Sequence, residues 1–157
     1  MRSTCRPSPW TTEEGWIGRV GNPIELARAL RDARSFVIDS GVFEDGRLNA
    51  PREIGTLGRR RLFSTYATLV ESFPQSTPLG RTREVNIRRL TRVLAPDEAI
   101  AERAYELFAD LRPLAYPGPN LADIYIAAVA IRWKYVVVTH DRDDFGKIPE
   151  VEYLDAW

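Results

Sequence analysis

The stretch Leu121-Ala122-Asp123-Ile124-Tyr125-Ile126-Ala127-Ala128-Val129-Ala130-Ile131 constrains the fold more than any other part of the chain. Every side chain from Ile124 to Ile131 is apolar or aromatic, so a helix here has no solvent face and must be covered all round. The turn Pro117-Gly118-Pro119-Asn120 feeds that helix, which runs to about Trp133. Directly afterwards, Tyr135-Val136-Val137-Val138-Thr139 reads as a strand by its β-branching and length. As the longest apolar run in the chain, Ile124 to Ile131 is far too short to cross a bilayer. A buried helix leading into a buried strand is half of a βαβ unit, and it points to an α/β fold with a mainly parallel sheet.

The rest of the chain fits that plan. Ser35-Phe36-Val37-Ile38 is a second short apolar run and stops abruptly at Asp39-Ser40-Gly41. Leu62-Phe63-Ser64-Thr65 is a third, followed by a helix from Tyr66 to Phe73 that ends at Pro74. A basic helix is expected over roughly Arg83 to Leu94, after a loop with Pro78 and Gly80. Another is expected from Pro96-Asp97-Glu98 to Leu111, with Ile100, Ala104, Leu107, Phe108 and Leu111 on one face. His140 to Gly146 is a polar loop, and Val151-Glu152-Tyr153-Leu154 a last strand at the sheet edge. Near the start, Asn22-Pro23-Ile24-Glu25 reads as a helix opening, with Asn22 as N-cap and Pro23 in first position, running to about Ala33. Residues 42–60 are broken by Gly46, Pro51, Gly55 and Gly58 and follow no period. At 157 residues the chain suits one domain able to bury about 70% of its unfolded surface.

Ligands of open α/β sheets bind beyond the carboxyl ends of the strands. Asp39 directly follows one strand and Asp141 follows another by two positions. A single Asp there is ordinary turn chemistry; two on different strands of one small sheet are less so. Asp123 is a third carboxylate, placed over an apolar face by Ile126 and Ala127 three and four residues on, although Asn120 and Asp123 also have the spacing of a capping box. Glu71 is a lone charge in a mostly apolar helix and by itself reads as a surface residue. If these groups converge they need a counter-ion, because two carboxylates about 4 Å apart repel by roughly 4 kcal/mol at an effective dielectric near 20. A cluster of oxygens suits Mg²⁺ or Mn²⁺, and a single His and a single Cys argue against zinc.

Cys5 and His140 are also too few for a disulfide framework or a nucleophilic triad with its usual Gly-x-Ser-x-Gly elbow. Residues 1–24 lack an apolar core of the signal-peptide type, so the expected location is the cytoplasm. Lys+Arg and Asp+Glu balance at 22 each, which would weigh against a nucleic-acid partner. The sum hides a distribution. Residues 59–92 hold eight Arg against Glu71 and Glu84, a net +6, whereas residues 93–157 hold six basic and twelve acidic groups, a net −6. Arg81, Arg83, Arg88, Arg89 and Arg92 are therefore candidate RNA-phosphate contacts, with a solvated helix face as the plainer alternative.

Three segments together resemble the C-terminal half of PIN domains: Leu121 to Ala130, then Val136-Val137-Val138-Thr139-His140-Asp141, then Phe145-Gly146-Lys147-Ile148-Pro149. The nearest group is the VapC toxins of bacterial toxin–antitoxin pairs. Their pattern is an Asp before an Ile-Ala-Ala helix, a strand ending Thr-x-Asp or Thr-x-Asn, and a following Phe. Phe36 to Ser40 resembles the family's opening strand, and Ser64 to Glu71 the segment that delivers its Glu. The spacings agree too: 32 residues from Asp39 to Glu71, 52 on to Asp123 and 18 on to Asp141.

The resemblance implies a single PIN-like domain over 35–157, an α/β/α sandwich, preceded by an extension of residues 1–34 with one helix. It implies a Mg²⁺- or Mn²⁺-dependent endoribonuclease toxin that leaves 5′-phosphate and 3′-hydroxyl ends, because water is the nucleophile. Asp39, Glu71, Asp123 and Asp141 would be the catalytic carboxylates. The metal would be held by Asp39, Asp123, Asp141 and, through water, Asp144, with Ser40 and Thr139 orienting carboxylates. A homodimer and a VapB-type antitoxin whose tail occupies the site are implied as well. The chain departs from the pattern at Gly41, where the family usually has Asn, in its long start before Asp39, and in carrying Asp143 beside Asp141 and Asp144. The readings weighed against it are a PIN nuclease outside a toxin–antitoxin pair, a silent PIN-like binding module, and a phospho-acceptor receiver domain, in which Asp123 would have no role.

Overall fold

A computed structural model describes residues 21–44, 47–72, 78–111 and 119–156. In chain order the elements are β1 (Asn22–Pro23), α1 (Leu26–Arg31), β2 (Phe36–Ile38), a 3₁₀ turn (Ser40–Val42), β3 (Phe43–Glu44), β4 (Arg47–Leu48) and α2 (Arg52–Gly55). They continue with β5 (Leu62–Thr65), α3 (Tyr66–Ser72), α4 (Pro78–Leu90), β6 (Arg92–Leu94) and α5 (Glu98–Leu111). Then come α6 (Leu121–Trp133), β7 (Val136–Thr139), α7 (Arg142–Phe145) and β8 (Glu152–Asp155). Six strands form one sheet in the order β1-β8-β7-β2-β5-β6, every neighbouring pair parallel. β3 and β4 make a separate antiparallel hairpin.

The alternation of side chains along each strand divides the core into two layers. Val37 and Val137 face α5 and α6, joining Leu107, Ile124, Ile126, Ala127 and Ala128 in one cluster. Phe36, Ile38, Val136 and Val138 point the other way and pack with Ala29, Ile54 and Leu62. This is the α/β/α sandwich expected from the sequence. α6 is buried as its composition demands: Ile124 and Val129 are 1% exposed, Ile126 fully buried. It is held between α5, α3 and the sheet. Among the described residues no helix is long and apolar enough to cross a membrane.

Four expectations are corrected. Asn22 is not a helix cap, because Asn22–Pro23 is strand β1, and α1 begins at Leu26 after Glu25. The unpaired edge of β8 explains the difference: Asn22 N donates to Val151 O at 2.8 Å and Ile24 N to Tyr153 O at 2.8 Å, while Pro23, which has no N–H, sits where none is needed. β8 is accordingly an inner strand, not the edge. Gly21 makes this close approach possible, since a Cβ there would lie 2.5 Å from the Phe145 carbonyl oxygen.

The basic helix is displaced. It runs from Pro78 to Leu90, and Arg92–Leu94 is a strand against β5. Thr91 makes the break, its hydroxyl 2.9 Å from Ile87 O and 2.7 Å from Ser64 Oγ, and β6 then continues the sheet. The loop after β7 contains a helical turn, α7, because the Asp141 side chain accepts from Asp144 N at 3.2 Å. The expectations placed on residues 1–20, Gly46, the end of α3 at Phe73, and Pro117-Gly118 lie outside the described residues.

Candidate active site

From β2 the chain steps outward to β5 and β6, then crosses back to β7 and β8 on the other side of β2. The loops leaving β2 and β7 therefore part in opposite directions, and a crevice opens between the carboxyl ends of these two strands. Asp39 is the first residue after β2, and Thr139 ends β7. α3 brings Glu71 and the first turn of α6 brings Asp123 to the same place. One carboxylate oxygen from each of Asp39, Glu71 and Asp123 lies within 4.8 Å of the others.

Each carboxylate is held by hydrogen bonds, local for Asp39 and Asp123 and from distant segments for Glu71. Ser40 N donates to Asp39 Oδ1 at 2.7 Å, and Thr139 Oγ1 donates to Asp39 Oδ2 at 2.8 Å, using its own lone pair to accept from Asp141 N at 2.9 Å. Ser40 Oγ donates to Glu71 Oε2 at 2.7 Å, so one serine ties two members of the cluster. Asn120 and Asp123 form the capping box read in the sequence, with Asn120 N donating to Asp123 Oδ2 at 3.0 Å. Sequence reasoning missed a second function of this residue. Asn120 Nδ2 also donates to Glu71 Oε1 at 3.4 Å, linking Glu71 to Asp123. The Asn-x-x-Asp spacing gave the cap, but nothing local reports a contact across 49 residues.

Burial and the neighbouring negative charges leave Asp39 and Asp123 reluctant to ionise. Asp39 is pushed up to about 6, chiefly by burial and further by Glu71 and Asp141, against the opposing hydrogen bonds from Thr139 and Ser40. Asp123 is pushed up to about 7, again chiefly by burial, with Asp39, Glu71 and Asp144 adding to it. Asp144 is raised by burial and by Asp141, and Lys147, 3.7 Å from its Oδ1, counteracts this. A cation would satisfy such a cluster. Three carboxylates from three elements form an all-oxygen donor set, which suits a hard divalent ion such as Mg²⁺ or Mn²⁺ better than zinc.

The pattern of the PIN domain family matches residues 36–151. The chain belongs to the PIN domain family. This PIN domain is similar in fold to the DNA-bound VapBC of Salmonella typhimurium, with a TM-score of 0.63 and 24% identity over 76% of this chain and 96% of that one. It is likewise similar to VapBC-5 of Mycobacterium tuberculosis, described as a member of the VapBC family of toxin–antitoxin systems, with a TM-score of 0.54 and 23% identity over 77% and 98%. FitAcB of Neisseria gonorrhoeae gives a TM-score of 0.55 and 20% identity over 78% and 98%. A comparison with curated proteins gives no match.

Not every residue singled out in the sequence joins the tight cluster of this PIN domain. Asp141 is exposed and spends its carboxylate as the cap of α7, close enough to raise Asp39 but outside the group of three. Asp144 stands beside Lys147, and Asp143 is turned to solvent with its side chain 86% exposed, 3.8 Å from Arg142. Glu71, which by itself reads as a surface residue, stays exposed yet belongs to the group of three.

The arginine block is divided. Arg83 lines a cleft of about 420 Å³ with Ser40, Gly41, Phe43, Glu71 and Ile87, next to the carboxylates. Arg81 lies in the first turns of α4, and Arg88 pairs with Glu84 at 2.8 Å under the ring of Tyr66. Arg89 and Arg92 stand at the end of α4 and the start of β6, the opposite end of the sheet from Asp39. Alternating helices and parallel strands cause this division: a run continuous in sequence passes from one end of the sheet to the other.

Proposed function

We propose that the chain is an endoribonuclease toxin of the VapC kind, dependent on Mg²⁺ or Mn²⁺ and held inactive by a VapB-like antitoxin. The observation that carries this reading is the convergence of Asp39, Glu71 and Asp123 within 4.8 Å at the switch point of a PIN domain. VapBC complexes among its structural neighbours favour the toxin over a PIN nuclease outside such a pair. Family membership also removes the receiver-domain reading.

Asp39, Glu71 and Asp123 would hold the cation, with Asp141 and Asp144 at the rim of the site. The ion, when bound, stabilises charge on the phosphodiester and lowers the pKa of an attacking water. Ser40 and Thr139 fix the carboxylate oxygens of Asp39, so the site needs little rearrangement on binding. Asn120 does the same for Glu71 and Asp123. The adjoining cleft, with Arg83 on one wall and Phe43 within it, offers a cationic fork and a ring face to the nucleotide beside the cut. Water as nucleophile leaves 5′-phosphate and 3′-hydroxyl ends. A homodimer in the cytoplasm is part of the same reading.

The test is expression in a bacterial host, with recovered RNA mapped for new ends. Wild type arrests growth and generates 5′-phosphate ends, whereas Asp39→Asn does neither, and co-expression of a small reading frame adjacent to the gene restores growth. Unimpaired growth with intact RNA overturns the toxin reading. Arrest by Asp39→Asn equal to wild type overturns the role of the carboxylates.

A further inference from the structure

The arginines that do not reach the carboxylates gather elsewhere. All strands of the sheet are parallel, so the residues just before each strand share its opposite end. Arg59, Arg60 and Arg61 precede β5, Arg92 opens β6, and Arg89 closes α4 beside it. Hydrogen bonds join this row across the strand starts: Arg59 Nε donates to Thr91 O at 3.3 Å, Arg61 Nε to Arg34 O at 2.9 Å, and Arg34 Nη2 to Lys134 O at 2.8 Å. Arg59 and Arg61 thus spend donors on main-chain carbonyls, and among the described residues no carboxylate pairs with either, which leaves further N–H groups to offer. Arg60, Arg89 and Arg92 are exposed. Glu152 pairs with Arg34, and Glu84 with Arg88. Favourable interaction with a helix end accounts for Arg88 and Arg89 in the last turn of α4. It does not account for a loop of three arginines and a strand that begins on a fourth.

We propose that this row is a second polyphosphate-binding surface, separate from the carboxylate site, that takes the phosphates of RNA segments which a short oligonucleotide centred on that site does not reach. The proposal rests on the ribonuclease reading above. The four residues of β5 span about 13 Å at about 3.3 Å each, and side chains at both ends extend this to roughly 20 Å. A hexanucleotide spans about 20 Å at about 3.4 Å per step along a helical strand, so one centred on the carboxylates reaches only about 10 Å toward the row. A folded transcript of several helical segments reaches it.

Binding is measured in an Asp123→Asn background, to prevent cleavage, with three probes: a folded RNA transcript, a hexaribonucleotide and a DNA duplex of the transcript's length. Changing Arg60, Arg89 and Arg92 together to Gln should weaken binding of the folded RNA by about tenfold or more and reduce the slope of log affinity against log salt by about 2, as expected for three lost phosphate contacts. The hexanucleotide should lose at least fivefold less than the transcript does, on the order of twofold in all. The same three changes to Lys keep the charge and should retain most of the binding, which separates phosphate contact from a folding defect. Equal affinity and slope for wild-type and Gln proteins, equal losses on both RNAs, or preference for the DNA duplex would each overturn the proposal. Cleavage is read separately with Asp123 intact: if that protein cuts neither RNA in Mg²⁺ or Mn²⁺ while the Asp123→Asn protein binds the transcript through the row, the nuclease reading falls and the row stands.

Discussion

Asp123→Asn should make the metal-free protein more stable, not less. Asp123 is raised from 3.8 to about 7 by burial and by the charges of Asp39, Glu71 and Asp144. A carboxyl with a raised folded-state pKa binds more protons in the folded chain than in the unfolded one, so its ionisation works against the fold. Below about pH 3.8 it is protonated in both states and no penalty exists; the loss grows as pH rises from 3.8 to 7 and is constant above. Complete, the penalty is about 4 kcal/mol at about 1.4 kcal/mol per pH unit. An amide retains an acceptor for Asn120 N but keeps part of the desolvation cost, which leaves a net gain of about 2 kcal/mol, or about 4–8 °C in melting temperature for a domain of this size. Thermal unfolding followed by circular dichroism in EDTA should show this gain at about pH 8 and little of it at about pH 4. Adding Mg²⁺ should reverse the order, since a ligand at a hundred times its Kd stabilises the wild type by about 2.7 kcal/mol and the variant by much less. An Asn variant that melts at or below wild type in EDTA at the higher pH would refute the reasoning. So would equal stabilisation of both proteins by Mg²⁺.

Thr139→Val removes a fully buried hydroxyl that donates to Asp39 at 2.8 Å and accepts from Asp141 N at 2.9 Å; it should cost about 2–4 kcal/mol in denaturant unfolding, and Thr139→Ser should restore most of it. Gly21→Ala sets a Cβ against the Phe145 carbonyl at 2.5 Å, so β1 should detach from β8, amide exchange at Asn22 and Ile24 should quicken, and stability should fall by about 1–3 kcal/mol. Arg83→Gln should raise KM for a short RNA by about tenfold, more than it lowers kcat, because the side chain lines the cleft without joining the carboxylate cluster.

The legible parts of the sequence were those where one residue type admits a single placement. A helix with no polar face, Ile124 to Ile131, had to be interior, and the β-branched run after it had to be a neighbouring strand. The acids that follow two of the short strands, Asp39 and Asp141, then fell at the carboxyl edge of the sheet. Asn120 and Asp123 announced their capping box by spacing alone. What stayed hidden depends on contacts between distant segments. Asn22–Pro23 has the local chemistry of a helix start, and only the open edge of β8 makes it a strand. Arg92–Leu94 carries no strand signal stronger than its helical surroundings, and pairing with β5 decides it. Glu71 is exposed, as its sequence suggested, but nothing in its helix hints that Ser40 and Asn120 will reach it and bring it to the cluster. The net charge of zero was the least informative number, since topology sends Asp39 and Asp141 to one end of the sheet and Arg59, Arg60, Arg61 and Arg92 to the other.

In the proposed function, Asp39, Glu71 and Asp123 act with a divalent cation to cut RNA. Incubating purified protein with RNA in Mg²⁺ or Mn²⁺, with and without EDTA, for wild type and Asp123→Asn tests it directly. Cleavage by wild type alone, abolished by EDTA and restored by excess cation, is the predicted result. Cleavage that persists in EDTA, or an Asp123→Asn protein that cuts as fast as wild type, would contradict it.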